Sequence, residues 1–214
     1  MDSGIASARG ARLALLDAAR AELVEHGSSG ISLRAVARRA GVSHAAPKYH
    51  FGDRAGLLTA IAAEGFSMLA TTLRSVRASS GPEVTQPLGA LGRAYIDFSL
   101  AHPALFDLMF RPGELHPADP ELLRAEAEAI GVLNSALVEM DPPGGHGSPA
   151  ASSLSLLSWA LAHGLSVLVR DGALQAATET PTLDEAADLA RDLTEVFAAL
   201  ISRAAPSRPR RSSS

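Results

Sequence analysis

AVARRAGVSHAAPKYHF, residues 35–51, gathers two arginines, one lysine, two histidines and two aromatic residues around a single glycine. Just upstream and within it, Leu33, Val36, Ala37 and Ala40 recur at the spacing of one helical face, and Ser32 stands where an N-cap belongs. Gly41 permits the positive φ of a tight turn, Val42 can pin that turn to a core, and Ser43 is placed to cap the next helix. Pro47 is tolerable near the start of that helix, because the first amides of a helix have no internal acceptor. Two short helices joined by about three or four residues containing glycine form a helix-turn-helix, whose second helix is shaped for the major groove of a duplex.

The side chains suit that geometry. Arg34, Arg38 and Arg39 cannot all face a core, and a cationic outer face is what phosphate contact requires. Ser43, His44, Ala45 and Lys48 fall on the early turns of the expected recognition helix, within reach of base edges or flanking phosphates. Tyr49 and His50 add donors, and Phe51 is expected to anchor the helix to the core. The net charge of −4 hides a division along the chain. Residues 1–54 hold eight Arg or Lys against five Asp or Glu, residues 55–205 hold eight against eighteen, and residues 206–214 hold three against none. Association with a polyanion depends on such local fields rather than on the total.

Around this segment the chain reads as all-α, with about nine helices and little β-branched alternation. A first helix over residues 9–26 carries Leu13, Leu16, Ala19 and Leu23 as its apolar stripe and ends at Gly27 in a left-handed cap. Asp53 caps a long fourth helix with Leu57, Leu58, Ile61, Phe66, Leu69 and Leu73, which ends at the Ser79-Ser80-Gly81-Pro82 break. Further helices are expected near 86–101, 103–110, 118–139, 150–170 and 183–204, separated by proline and glycine clusters and by Gly172. The boundaries predict a DNA-binding domain over residues 9–53, a larger helical domain over 54–204, and a disordered tail over 205–214. With 47% hydrophobic residues the chain can bury a sizeable core, and without cysteine it has no disulfide or thiolate metal site. Neither a leader nor an apolar run of about 18 residues stands out, so the expectation is a cytoplasmic protein with no membrane partner.

SLRAVARRAGVSHAAPKYHFGDRAGLL, residues 32–58, resembles the signature of the TetR family of regulators, and the resemblance covers residues 9–75. It implies that Ser32 and Arg34 start the second helix near the DNA backbone. It also implies that Ser43, His44, Ala45, Lys48 and Tyr49 supply the recognition contacts, and that His50 and Arg54 hold phosphates. Lys48 stands where the family usually has a phosphate-binding tyrosine, and Arg54 replaces a usual lysine, so charge is gained. AHPALFDLMF followed by Trp159-x-x-x-His163-Gly164 resembles the C-terminal domain of members named for a Trp-His-Gly motif. That implies a small-molecule effector bound among the middle helices; Tyr95, Phe98, Phe106, Phe110, Trp159 and His163 are the candidate pocket, with plain core packing the alternative that their helical spacing leaves open. Arg111 is either a solvated loop arginine or a partner for an anionic group of such a ligand. The family likeness further implies dimerisation through the last two helices.

The last helix adds its own support for a dimer, because Leu183, Ala186, Ala190, Leu193, Phe197, Leu200 and Ile201 make a broad stripe that needs a cover, either from within the chain or from a second copy. A two-fold partner would set two recognition helices about 34–36 Å apart on a palindromic operator. Catalysis is not expected: Ser158 and His163 lie on different helix faces, and no nucleophile elbow, phosphate loop or zinc-protease motif appears. No cofactor is expected, and the histidines are too scattered to argue for a metal. The sequence thus reads as a homodimeric, ligand-released repressor of transcription. The alternatives are a helical protein-interaction module and a DNA-binding protein without an effector.

Overall fold

Helical periodicity is realised as ten α-helices and one 3-10 turn, with no strand among the described residues. The computed structural model describes residues 2–79, 87–140, 153–178 and 182–204. In order these are α1 (Asp2–Gly30), α2 (Leu33–Arg39), α3 (Ala46–Phe51), α4 (Arg54–Ser79), α5 (Pro87–Ala101) and α6 (Pro103–Met109). The 3-10 turn Pro112–Glu114 leads to α7 (Pro120–Met140), α8 (Ser153–Arg170), α9 (Ala173–Thr178) and α10 (Leu183–Ala204). The expected tail over 205–214, with Arg208, Arg210 and Arg211, lies outside the described residues, as do the 80–82 and 141–149 breaks.

The helix missed by sequence is α9. Gly172, with φ +76, closes α8, and six residues are too few to display a period. Tertiary contacts hold the segment instead: Leu174 is buried, and Gln175 Nε2 donates to the Val169 carbonyl at 2.9 Å.

The chain forms two compact units, one of residues 1–70 with 101–129, the other of residues 71–100 with 130–214. In the first, α1 packs on α2, α3 and α6. Leu15, Leu16, Ala19 and Leu23 of α1, Val36 and Ala37 of α2, and Leu57, Leu58 and Ile61 of α4 are all buried. Leu13, expected in the apolar stripe, is 51% exposed, because the buried face centres on residues 15, 16, 19 and 23 and leaves position 13 on the opposite flank. Gly27 does interrupt α1 with φ +67, but its ψ of 175 is extended, so the chain kinks there rather than closing in a left-handed cap.

The turn after α2 is a complete Schellman closure. The Gly41 amide donates to Arg38 O at 3.2 Å and the Val42 amide to Ala37 O at 3.1 Å, with Gly41 at φ +67. Ser32 caps α2 as expected, accepting from the Ala35 amide at 3.1 Å. Ser43 does not cap α3: its carbonyl accepts from the Ala46 amide in a turn, and the helix begins at Ala46. Pro47 is the reason. A helix capped at Ser43 would require an amide at position 47 to close the first intrahelical bond, and proline has none. Starting at Ala46 places Pro47, which is buried, in the first turn.

Asp53 caps α4 through the Gly56 amide at 2.7 Å, and its carboxylate also meets His116 Nε2 at 3.0 Å. Those two contacts hold the Asp53 carboxyl below its ordinary value. Glu114 sits between Arg54 Nη2, at 3.2 Å, and the Ser28 hydroxyl, which donates to it at 2.9 Å. Burial alone would raise the Glu114 carboxyl, but hydrogen bonds from Ser28, Arg54 and Arg111 outweigh it and hold it low.

In the second unit α8 packs on α9 and α10. Ala186, Ala187 and Ala190 of α10 let that helix approach Ile96, Leu165, Val169 and Leu174. Two helices, α4 and α8, have the length and mean hydropathy of a membrane span, which the sequence reading did not anticipate. Two-thirds of the most apolar α4 window is buried inside the protein, as the core helix of a folded domain requires.

Gly41 and Gly131 make a matched pair of tests, since a Cβ at either meets nothing within 4 Å. Gly41→Ala should destabilise by about 1 kcal/mol because φ +67 disfavours an L side chain. Gly131→Ala, inside α7, should stabilise by about 0.5–1 kcal/mol. Urea denaturation followed by circular dichroism reads both, and equal signs would contradict the backbone assignment.

Candidate nucleic-acid interface

Because α3 is short and its N-terminus is set by Pro47, the polar residues around it stand clear of the core. Ser43, His44 and Ala45 form an exposed turn leading into α3, rather than lying on its first turn as expected, and Lys48 is exposed on the helix. Tyr49 is 82% exposed, an unusual position for a large aromatic side chain, and its ring meets the half-buried His50 edge-on at 5.1 Å. Phe51 is half-buried beneath the Arg12 guanidinium, 5.4 Å above its ring, so it ties α3 to α1. Arg12 was not singled out in the sequence, since residues 39 apart give no local signal of contact.

The arginines divide. Arg34 and Arg38 are exposed, and neither they nor Lys48 joins an ion pair among the described residues. Arg39 is engaged, with Nε 3.0 Å from Glu22 and Nη2 2.6 Å from Glu25. Hydrogen bonding to Glu25 raises the Arg39 guanidinium and lowers the Glu25 carboxyl. It serves the α1–α2 joint rather than a free cationic face. Arg54 is engaged too: Nε donates to Ile31 O at 3.1 Å and Nη2 to Ser28 O at 2.5 Å, beside the Glu114 pair. Its guanidinium fastens the start of α4 to the loop that precedes Ser32. Arg111, considered as a ligand partner, lies 3.5 Å from Glu114 in the same unit.

The aromatic residues proposed for a pocket fall into two groups. Phe106 and Phe110 lie in the first unit, where Phe110 contacts Phe106 at 4.9 Å and Phe66 at 5.5 Å between ring centres. Tyr95, Phe98, Trp159 and His163 belong to the second, where Phe98 is buried. There Trp159 Nε1 donates to the Tyr95 hydroxyl at 3.2 Å, and that hydroxyl is 3.0 Å from His163 Nδ1. Burial raises the Tyr95 phenol, and burial together with Arg170 lowers the His163 imidazole, so both are neutral at neutral pH. Tyr95 and Trp159 line a cavity of about 40 Å³ with Leu73, Leu91, Ser158 and Thr194 among its other walls. No group of three or more His, Asp or Glu suited to a metal occurs among the described residues.

Residues 15–61 match the family model described as bacterial regulatory proteins, tetR family, and residues 88–193 match that of the tetracyclin repressor-like C-terminal domain. HTH-type transcriptional regulators of Mycobacterium bovis and Mycobacterium tuberculosis are 29% identical over 109 residues, covering 49% of this chain and 47% of theirs. The chain thus spans about half the length of the curated relatives it matches. A solved structure of a protein of unknown function from Rhodococcus sp. RHA1 is 32% identical, with a TM-score of 0.71, covering 87% of this chain and 94% of that one. A TetR family transcription regulator from Marinobacter aquaeolei VT8 shares the fold at 21% identity and a TM-score of 0.58, covering 86% and 95%. With both family models matched in order along one helical chain, this protein belongs to the TetR family of transcriptional regulators and carries its DNA-binding domain at the N-terminus.

Proposed function

We propose that this chain is a homodimeric repressor that reads a palindromic operator with α3 and the turn before it, and that a small molecule releases it. The observation that carries the reading is the exposed set Ser43, His44, Lys48 and Tyr49, standing out from a helix-turn-helix whose own core is closed. Tyr49 and Lys48 would meet phosphates or base edges, with Ser32 and Arg34 at the start of α2 as backbone contacts. His50 is half-buried and Arg54 is held by protein carbonyls, so we assign them to positioning the site, with phosphate contact a secondary role. The Trp159-His163-Gly164 pattern leads us to place the C-terminal domain in the Trp-His-Gly subgroup.

The dimer reading rests on the second unit. Leu157 and Leu168, three turns apart on one face of α8, are 61% and 43% exposed, and Leu193, Val196 and Leu200 of α10 are 37%, 55% and 57% exposed. Aliphatic faces of this extent on two long neighbouring helices suit an isologous four-helix contact. A ligand that fits only one spacing of the two recognition helices would shift DNA affinity by the same coupling energy that DNA exerts on the ligand. Such a protein would work in the cytoplasm, as a regulator and not a catalyst.

Selection of genomic fragments by the purified protein tests the function. Enriched fragments should contain two inverted half-sites about one helical turn apart, occupied by at least two chains. Enrichment of unrelated sequences would refute the operator reading. Lys48→Ala should weaken binding and lower the slope of log affinity against log salt by about 1 if the ammonium meets phosphate. If it reads a base edge instead, base preference relaxes at one position; no change in either excludes Lys48 from the interface. Leu193→Asp/Leu200→Asp, at exposed positions, should give a folded monomer in analytical ultracentrifugation that no longer holds the operator tightly. A dimer that persists in this variant would contradict the interface.

A further inference from the structure

The cavity beside Tyr95 is specific in its chemistry as well as its place. None of its walls carries a charged side chain: they are leucine, glycine, alanine, phenylalanine, serine, threonine, tryptophan and tyrosine. An ionic ligand entering it would leave water without meeting a counter-charge, which disfavours both anions and cations strongly. The body of a suitable ligand is therefore neutral and largely apolar.

The hydrogen-bonding groups narrow the class further. Trp159 Nε1 gives its proton to the Tyr95 oxygen. With the His163 tautomer that carries its proton on Nε2, the Tyr95 proton goes to Nδ1, and the Trp159 and Tyr95 protons are both used. Ser158 donates to Leu154 O at 2.7 Å and Thr194 to Arg191 O at 2.7 Å, each within its own helix. With that tautomer every side-chain donor lining the cavity is committed, whereas the Ser158 and Thr194 oxygens retain lone pairs that can accept. Resting on the reading of this cavity as the effector site, we propose that His163 holds this tautomer and that the ligand class is a neutral, apolar-bodied alcohol, whose hydroxyl donates to Ser158 or Thr194. A ketone or ester of the same size finds no donor to receive it.

Size adds a consequence. A cavity of about 150 Å³ holds one benzene ring, and this one measures about 40 Å³. A ring-sized alcohol enters only as the surrounding segments of α4, α5, α7, α8 and α10 give way, so occupancy is tied to a rearrangement of the second unit.

Trp159 is the chain's single tryptophan and lines the cavity, so its fluorescence reports directly on occupancy. The full-length protein is titrated with cyclohexanol, cyclohexanone and cyclohexanecarboxylate, and the Trp159 emission is followed. Cyclohexanol is expected to saturate at about fivefold lower concentration than cyclohexanone, the worth of one net hydrogen bond, and the carboxylate to leave the emission unchanged. Ser158→Ala/Thr194→Val, checked for folding by circular dichroism, should lose the preference while still binding both neutral probes. Ser158→Ala alone, should the double variant not fold, is expected to reduce it. Cyclohexanone or the carboxylate binding as tightly as cyclohexanol, or an undiminished preference in a folded variant, would overturn the alcohol class and leave the cavity as an effector site. No response to any of the three would overturn the alcohol class and the effector-site reading together. Neither result bears on DNA binding.

Discussion

The closure between α2 and α3 is the constraint on which the reading unit depends. Gly41 turns the chain with a positive φ while two amides return to Arg38 and Ala37, so the exit direction of the backbone is fixed by hydrogen bonds rather than by side chains. Pro47 then fixes where the next helix can begin, since it can occupy only the first turn. Between these two residues only five positions remain, and three of them, Ser43, His44 and Ala45, are exposed. The polar surface of the site thus follows from backbone chemistry at its two ends. Phe51 under Arg12, and Arg54 on the Ser28 and Ile31 carbonyls, secure the far end of α3 to α1 and to the loop before α2.

Much of this was legible in the sequence because the determinants are local. Ser32 and Asp53 act as N-caps over three residues, Gly41 needs its conformation whatever surrounds it, and the apolar positions of α2 and α4 recur at helical spacing. The start of α3 was readable in principle, from the amide that Pro47 lacks, but a serine in an N-cap context gave the competing signal. What the sequence could not carry is long-range partnership. Arg39 and Arg54 look alike in a cationic segment, yet Glu22, Glu25 and Glu114 claim them, and Glu114 lies 60 residues from Arg54. The aromatic residues behaved the same way: helical spacing marks Tyr95, Trp159, Phe106 and Phe110 as inward-facing, but not which of two cores each one joins.

The two units divide the physical tasks. The first has a closed core, paired carboxylates and a small set of exposed groups on and before α3, which suits a surface preorganised for one partner. The second has alanine-lined helix contacts, exposed leucines on α8 and α10, and an uncharged cavity whose polar side chains bond to each other or to backbone carbonyls. Ion pairs also join α5 to α10 there, Arg93 with Glu195 at 2.5 Å and Arg191 with Asp97 at 2.7 Å. The exposed groups around α3 and the uncharged cavity of the second unit are the basis for reading the first as the recognition element and the second as the responsive one.

The most direct test of the central claim is the ratio of dissociation constants for a duplex carrying the selected inverted repeat and for a scrambled duplex of the same composition, measured by fluorescence anisotropy at physiological salt. The account predicts a ratio of about a thousandfold or more in favour of the repeat, because base-edge contacts from α3 and its preceding turn add to the shared phosphate attraction. Equal affinity for the two duplexes, or no binding to either even at low salt, would contradict it.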